Sequence, residues 1–392
     1  MLRKFWLQVH WLLGITAGVV LAVMGVTGAL LSFEQDLLRW MNPGVITVPP
    51  RADGPLTPQE LLARIQTAFP EKRLIGLELS ADPHAAARVG FASSVDSQRR
   101  QGRPTGQGGR RRTEWRYVDP YTGAALGEPW GQEFFRFTTE LHRWLAAGDT
   151  GKAITGASTL ALIVLCLSGL YLRWPRRMLN WRTWLTFDFT LTGRAFLWRL
   201  HAVTGTWVLL LYLLAGLTGL FWSYEWYRNG LMRLTGAPPP NRERMTVGAP
   251  LTVPLDFATV WAAFLHEVGE FHTATVSLPE HPAQAVEIRY LEPRPAHERA
   301  FSQLVLHPVT GAVLQHDRYA KRSLGGKLIT SMFVLHSGTF FGVVGWALMM
   351  VASLIMPLFA ITGWQLYLAR RAKKRASLLN VIGSEEWERT NA

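Results

Sequence analysis

Leu197 to Glu225, which from Trp198 reads WRLHAVTGTWVLLLYLLAGLTGLFWSYE, decides how the rest of the chain is read. It is apolar, long enough to cross a bilayer, and carries a single imidazole, His201, near one end. Its small and polar residues return near the N-terminus. His201, Gly205, Gly216, Thr218, Gly219, Ser223 and Glu225 answer His10, Gly14, Gly25, Thr27, Gly28, Ser32 and Glu34, all at one offset, with Phe5/Phe196 and Arg3/Arg194 on the same offset. Composition alone does not produce such spacing, and an internal repeat of this kind sets the architecture before any other feature.

A second set repeats likewise. Leu141, His142, Gly148, Gly151, Ala153, Gly169, Leu172, Arg176 and Arg177 share one offset with Leu335, His336, Gly342, Gly345, Ala347, Gly363, Leu366, Arg370 and Arg371. The chain therefore reads as a duplicated unit of helix, outward module and helix. Four apolar stretches, about Trp11–Phe33, Ala153–Leu172, Ala202–Trp222 and Gly338–Ala369, reach the roughly 20 residues that a span requires. The first is too long for a signal-peptide core and no small-x-small cleavage pattern follows it, so it reads as a retained helix. The expected fold is a mostly α membrane protein, a four-helix bundle with two small α+β modules. Its predicted layout is transmembrane helix 1 over 1–34, module 1 over 35–139, helix 2 with an extension over 140–174 and a cytoplasmic loop over 175–195. Helix 3 over 196–225, module 2 over 226–330, helix 4 over 331–371 and a cytoplasmic tail over 372–392 complete it.

Arg3 and Lys4 precede the first span, Arg173, Arg176, Arg177, Arg182, Arg194 and Arg199 crowd the short second loop, and Arg370, Arg371, Lys373, Lys374 and Arg375 follow the last span. This bias predicts cytoplasmic termini and outward-facing long loops. It also accounts for most of the net charge of +13, so no nucleic-acid partner is expected and the lipid bilayer is. The single cysteine, Cys166, allows no internal disulfide, and no C-x-x-C-H occurs for covalent haem attachment.

Within the first long loop, Thr57-Pro58-Gln59-Glu60 is a capping box with proline at the first helical position. Alternating segments Arg73–Leu79, Ala87–Ser93 and Glu114–Val118 lead to the turn Asp119–Gly123, interrupted by the basic insert Gln98–Arg112. The second loop repeats the plan: Asp256 caps a helix to about Val268, Thr273–Leu278, Ala285–Tyr290 and Phe301–Leu306 alternate, and His307–Gly311 forms the turn. Trp115, Trp130 and Trp144 read as packing or interface residues.

Two repeat-matched histidine pairs carry the chemistry, His10/His201 and His142/His336. An imidazole in or beside a span is costly without a partner. A duplicated unit turns equivalent helices toward each other about an axis along the membrane normal, so each pair should meet face to face, as the two axial ligands of a haem iron do. Gly14, Gly205, Gly148 and Gly342 would thin the helices beside the macrocycle, and Arg199 and Arg143 could pair haem propionates. His10 lies near the cytoplasmic end. His142 precedes Arg173 by enough residues to span roughly 46 Å if helical throughout, which predicts that His142 and His336 stand at or above the outer surface. The other seven histidines show no metal-ligand spacing, and there is no dinucleotide fingerprint.

These motifs resemble one family. The starts Leu141-His142-Arg143, Leu200-His201 and Leu335-His336-Ser337-Gly338, with the D-P-x-T-G-like ends at Asp119–Gly123 and His307–Gly311, resemble the PepSY-associated transmembrane proteins over nearly the whole chain. Length and layout resemble the inner-membrane ferric-siderophore reductases of the FoxB (ferrioxamine reductase) type. That resemblance implies two non-covalent b-type haems ligated by His10, His201, His142 and His336. It also implies a ferric siderophore reduced on the periplasmic side of a bacterial inner membrane, and a separate electron donor, a cytoplasmic flavoprotein reductase or a quinol. Two rival readings are a quinol-linked cytochrome b with another periplasmic acceptor and a non-enzymatic PepSY sensor or peptidase regulator.

Overall fold

The computed structural model describes residues 1–92, 113–174, 180–238, 245–247, 255–281 and 283–390, with side chains as far as 377. The insert Gln98–Arg112 and the pair Arg176 and Arg177 lie outside these residues. Among the described residues, four helices are long and apolar enough to cross a membrane: α1 (Leu2–Leu31), α2 (Gly148–Arg173), α3 (Gly193–Ser223) and α4 (Gly342–Thr390). The chain is a multi-pass membrane protein. The described residues divide into two compact units, one holding these helices and one built from the two long loops.

In the helical unit α1 packs on α2 and α4, and α3 packs on the same two helices. The shared core is Ala17, Leu21, Ala161, Leu162, Val208, Tyr212, Ala352 and Met356. Its small residues reflect the solvent: lipid tails give no hydrophobic drive between helices, so close backbone packing holds them together. Gly25 is the tightest such point, where an added Cβ would lie 2.5 Å from the Met356 Cβ and 2.6 Å from the Ser353 carbonyl. That carbonyl sits four residues before Pro357, which has no N–H to bond it. Away from the core, Val19, Leu210 and Leu348 are 60%, 76% and 51% exposed, as lipid-facing residues should be.

Helix 2 with its extension does not form one rod. A separate helix, Gln132–Trp144, stops short of α2, and Leu145 and Ala146 take positive φ values of 48° and 52° between them. The fourth span is likewise preceded by a short helix, Met332–Ser337, and a 3-10 turn, Thr339–Phe341, flanked by Gly338 and Gly342 at φ 82° and 68°. Both breaks let the preceding histidine helix turn back onto the bundle.

The loop unit corrects the expectation of two separate modules. β1 (Leu74–Ser80), β2 (Ala87–Ala92) and β3 (Thr113–Val118) come from the first loop, and β4 (Thr273–Ser277), β5 (Val286–Leu291), β6 (Ser302–Leu306) and β7 (Val313–Asp317) from the second. They form one seven-stranded sheet in the order β3-β2-β1-β4-β5-β6-β7. β1 and β4 join antiparallel from Gly76↔Ser277 to Ser80↔Thr273. An unpaired edge strand presents a row of free N–H and C=O groups, and two such edges satisfy each other. Helices Pro58–Ala68 and Phe257–Val268 cover one face over a core including Leu61, Ile65, Leu77, Phe91, Phe264 and Ile288. The capping box at Thr57 forms, with Thr57 and Glu60 bonded reciprocally, and Asp256 caps the second helix through Thr259.

Candidate functional site

The four repeat-matched histidines form two facing pairs within the helical unit. His10 on α1 meets His201 on α3, ring centroids 6.2 Å apart and planes at 73°. His142 on Gln132–Trp144 meets His336 on Met332–Ser337 at 6.3 Å and 69°. The geometry of the two pairs is nearly the same.

The Nδ1 atom of every ring is held. His142 Nδ1 lies 3.0 Å from the Met24 carbonyl, and His336 Nδ1 lies 3.1 Å from the Ala215 carbonyl. A carbonyl only accepts, so in both rings the proton sits on Nδ1. Thr27 Oγ1 and Thr218 Oγ1 take the same N–H groups at 3.1 Å and 3.0 Å, having given their own protons to Val23 and Leu214. At the other pair the acceptor is a hydroxyl alone. His10 Nδ1 lies 2.9 Å from Ser168 Oγ, and His201 Nδ1 lies 2.8 Å from Thr362 Oγ1. Those hydroxyls donate to the Leu165 and Leu358 carbonyls, which again leaves the imidazole as donor. Each histidine is thus locked in the tautomer whose Nε2 carries a free lone pair. Metal-ligating histidines are oriented in this way, by giving the second ring N–H to a fixed acceptor.

Four glycines let the Cε1 edges of the rings come close to neighbouring helices. A Cβ on Gly28 would fall 3.2 Å from His142 Cε1, on Gly219 3.4 Å from His336 Cε1, on Gly169 3.3 Å from His10 Cε1 and on Gly363 3.9 Å from His201 Cε1. Gly14 and Gly205, expected beside the rings, instead back onto Leu165 and Phe359, and Gly148 and Gly342 face open space. Ser168 and Thr362 escaped the sequence reading although they share the offset of the second repeat set. Thr27 and Thr218 belonged to the first set without a role being assigned to them.

Depth also differs from expectation. His142 bonds at Met24 and Thr27 and abuts Gly28, inside the C-terminal part of α1 rather than beyond it, because the chain breaks at Leu145–Ala147. The two pairs are therefore separated along α1 by the distance from His10 to Thr27, and along α3 by that from His201 to Thr218, a rise of about 26 Å.

Around the pairs, Phe359 touches His201 edge-on at 5.1 Å and Trp222 touches His336 at 5.6 Å. The Arg143 guanidinium stacks over Trp144 at 4.3 Å, and Arg199 Nε donates to the Thr186 carbonyl. Neither arginine forms an ion pair among the described residues. In the loop unit, Trp115 lies across Gly76 and Gly90 as packing, with Arg88 stacked 5.1 Å above it, while Trp130 is exposed. His307 replaces the turn carboxylate in kind: its Nδ1 accepts from Val309 and Thr310 N–H as Asp119 accepts from Tyr121. His316 bridges Tyr290 Oη and Glu267, and His297 bonds Tyr319 and Ser331. Among the described residues no group of three or more His, Cys, Asp or Glu converges as a purely protein-made metal site would need.

No curated protein matches this chain. A family model, the PepSY-associated TM region, matches residues 7–370, a range that holds both histidine pairs. The chain belongs to the PepSY-associated TM region family.

Proposed function

We propose that this chain is a di-haem transmembrane reductase, with b-type haems ligated by His10/His201 and by His142/His336, that passes electrons from the cytoplasmic side to a ferric siderophore on the periplasmic side. The observation that carries the haem reading is the ring spacing. An imidazole nitrogen binds a metal at about 2.0 Å and lies about 1.1 Å from its ring centre, so two imidazoles that held one iron between them would put their centroids roughly 6.3 Å apart. The two pairs stand at 6.2 Å and 6.3 Å. A pair suffices for haem because the macrocycle occupies the remaining positions on the iron. When bound, each haem supplies a one-electron iron centre.

The residues of the chain do the rest. Ser168, Thr362, Thr27 and Thr218, with the Met24 and Ala215 carbonyls, hold all four Nε2 lone pairs ready and raise the basicity of the ligands. Gly28, Gly219, Gly169 and Gly363 fix the rings by close packing. Arg143 and Arg199 remain available to carboxylates at the haem edges. Two centres separated along the helices by about 26 Å stand near opposite faces of a ~30 Å hydrocarbon core. In this reading the His10/His201 centre is the cytoplasmic one, because the excess of Lys and Arg lies at that end of the spans, and the His142/His336 centre is the periplasmic one.

The substrate class rests on the resemblance of length and layout to siderophore reductases. Reduction matters because oxygen-rich chelators hold iron(II) far less tightly than iron(III), so the metal is released. The test is to reduce purified protein with dithionite, mix it with a panel of ferric siderophores and follow haem reoxidation. Fast reoxidation by one or more of them is expected. No reoxidation by any would remove the substrate assignment and leave the haem assignment standing.

A further inference from the structure

Arg173, the last residue of α2, is a cation with unmet donors. Its Nη2 gives hydrogen bonds to the Thr183 and Trp184 carbonyls at 2.7 Å and 2.8 Å, and its guanidinium lies 5.8 Å over the Trp184 ring. Its Nε and Nη1, however, are buried and have no partner. Buried arginine donors are nearly always satisfied, because stripping water from them without replacement is costly. Arg199 comes to the same loop from α3, giving its Nε to the Thr186 carbonyl, and the two positive charges lie close enough to repel each other. No carboxylate among the described residues forms an ion pair with either. Asp188, the acid that feels Arg199, spends its Oδ1 on the N–H and hydroxyl of Thr190.

The position of this cation pair indicates what it waits for. Arg173 stands four residues beyond Gly169, on the same helix face, and Gly169 backs onto the His10 ring. Arg199 stands two residues before His201. Arg173 therefore lies about one helical turn, roughly 6 Å along α2, beyond the glycine that backs His10, and Arg199 lies about 3 Å along α3 from His201, its side chain turned to the loop at Thr186. Two cations brought together with buried N–H groups unspent are a preformed site for a bidentate anion.

We propose that Arg173 and Arg199 form a clamp for a carboxylate of the haem held by His10 and His201, with Arg173 supplying the buried charge. This rests on the haem reading above. An anionic lipid phosphate offers the same chemistry from another source, so the test separates the two. A cation beside a haem carboxylate favours the reduced centre, which carries one more electron.

Arg173→Gln keeps hydrogen-bonding capacity but removes the charge. In lipid-free detergent it should shift the midpoint potential of one haem to more negative values by about a tenfold change in its one-electron equilibrium, about 59 mV. Arg173→Lys should stay near wild type. Arg182→Gln, which removes a charge from the same loop where Arg182 stacks on Trp181, should shift neither haem. In a His142→Ala background the shift should persist, and in a His10→Ala background it should vanish. Unchanged potentials in Arg173→Gln with both haems retained would overturn the clamp while leaving the haem reading intact. So would a shift seen only in phosphatidylglycerol nanodiscs and not in phosphatidylcholine ones, since that would assign the anion to lipid. Loss of haem from both Gln and Lys variants would mark a structural role and overturn it as well. Wild-type protein without haem would overturn the underlying reading instead.

Discussion

The two histidine pairs are anchored differently, and the difference predicts unequal responses to one kind of mutation. His10 and His201 each give Nδ1–H to one acceptor, Ser168 Oγ or Thr362 Oγ1. His142 and His336 each have a hydroxyl and a backbone carbonyl. Ser168→Ala or Thr362→Val therefore leaves a buried imidazole N–H with no acceptor, which costs about 1–3 kcal/mol and permits the wrong tautomer. Thr27→Val or Thr218→Val leaves the carbonyl bond in place, so the loss is at most about 1 kcal/mol. In binding terms the first class should weaken haem affinity by about 5- to 150-fold and the second by no more than about fivefold. The assay is Soret titration of apo-protein with haem, each pair isolated by a His→Ala change in the other. Equal losses in the two classes, or a larger loss for Thr218→Val than for Thr362→Val, would refute the tautomer argument.

Three further outcomes follow from packing and charge. Gly25→Ala forces a Cβ to within 2.5 Å of Met356 and should separate α1 from α4, costing about 1–3 kcal/mol and lowering the melting temperature of the detergent-solubilised protein. Phe264→Ala removes a fully buried ring beneath the sheet and should cost about 3–5 kcal/mol, read by denaturant unfolding, while leaving the spectra of the helical unit unchanged. Asp82 is held below the ordinary carboxylate range, first by the His84 backbone N–H and then by Arg39. Because its folded pKa is depressed, its contribution is present above the unfolded value and is lost as pH falls through the folded one. The melting temperature should therefore fall from about pH 4 downward, and less steeply in Asp82→Asn.

Much of this fold was legible in the sequence because its signals are local. Twenty-odd apolar residues announce a span, alternation announces β1 to β6, and Thr57 and Glu60 announce a capped helix. What was missed is non-local or conformational. The β1–β4 pairing joins segments from two loops on either side of two spans, and no residue in either strand names its partner. Strand β7, VLQHD, carries too few apolar residues to declare itself. The break at Leu145 and Ala146 uses positive φ in residues that rarely adopt it, so sequence spacing overestimated the height of His142. The histidine pairs themselves were legible through duplication. Their hydroxyl anchors were not, because serine and threonine inside spans more often bond only their own helix, as Thr206 bonds Ala202.

The claim on which everything else depends is that each histidine pair holds one haem. The direct measurement is the haem-to-protein ratio and reduced-minus-oxidised spectrum of purified protein, with His10→Ala and His142→Ala alongside wild type. Two b-type haems per chain are predicted, with each single variant losing a different one and keeping the other. A wild-type protein without haem, or single variants that both retain two, would contradict it.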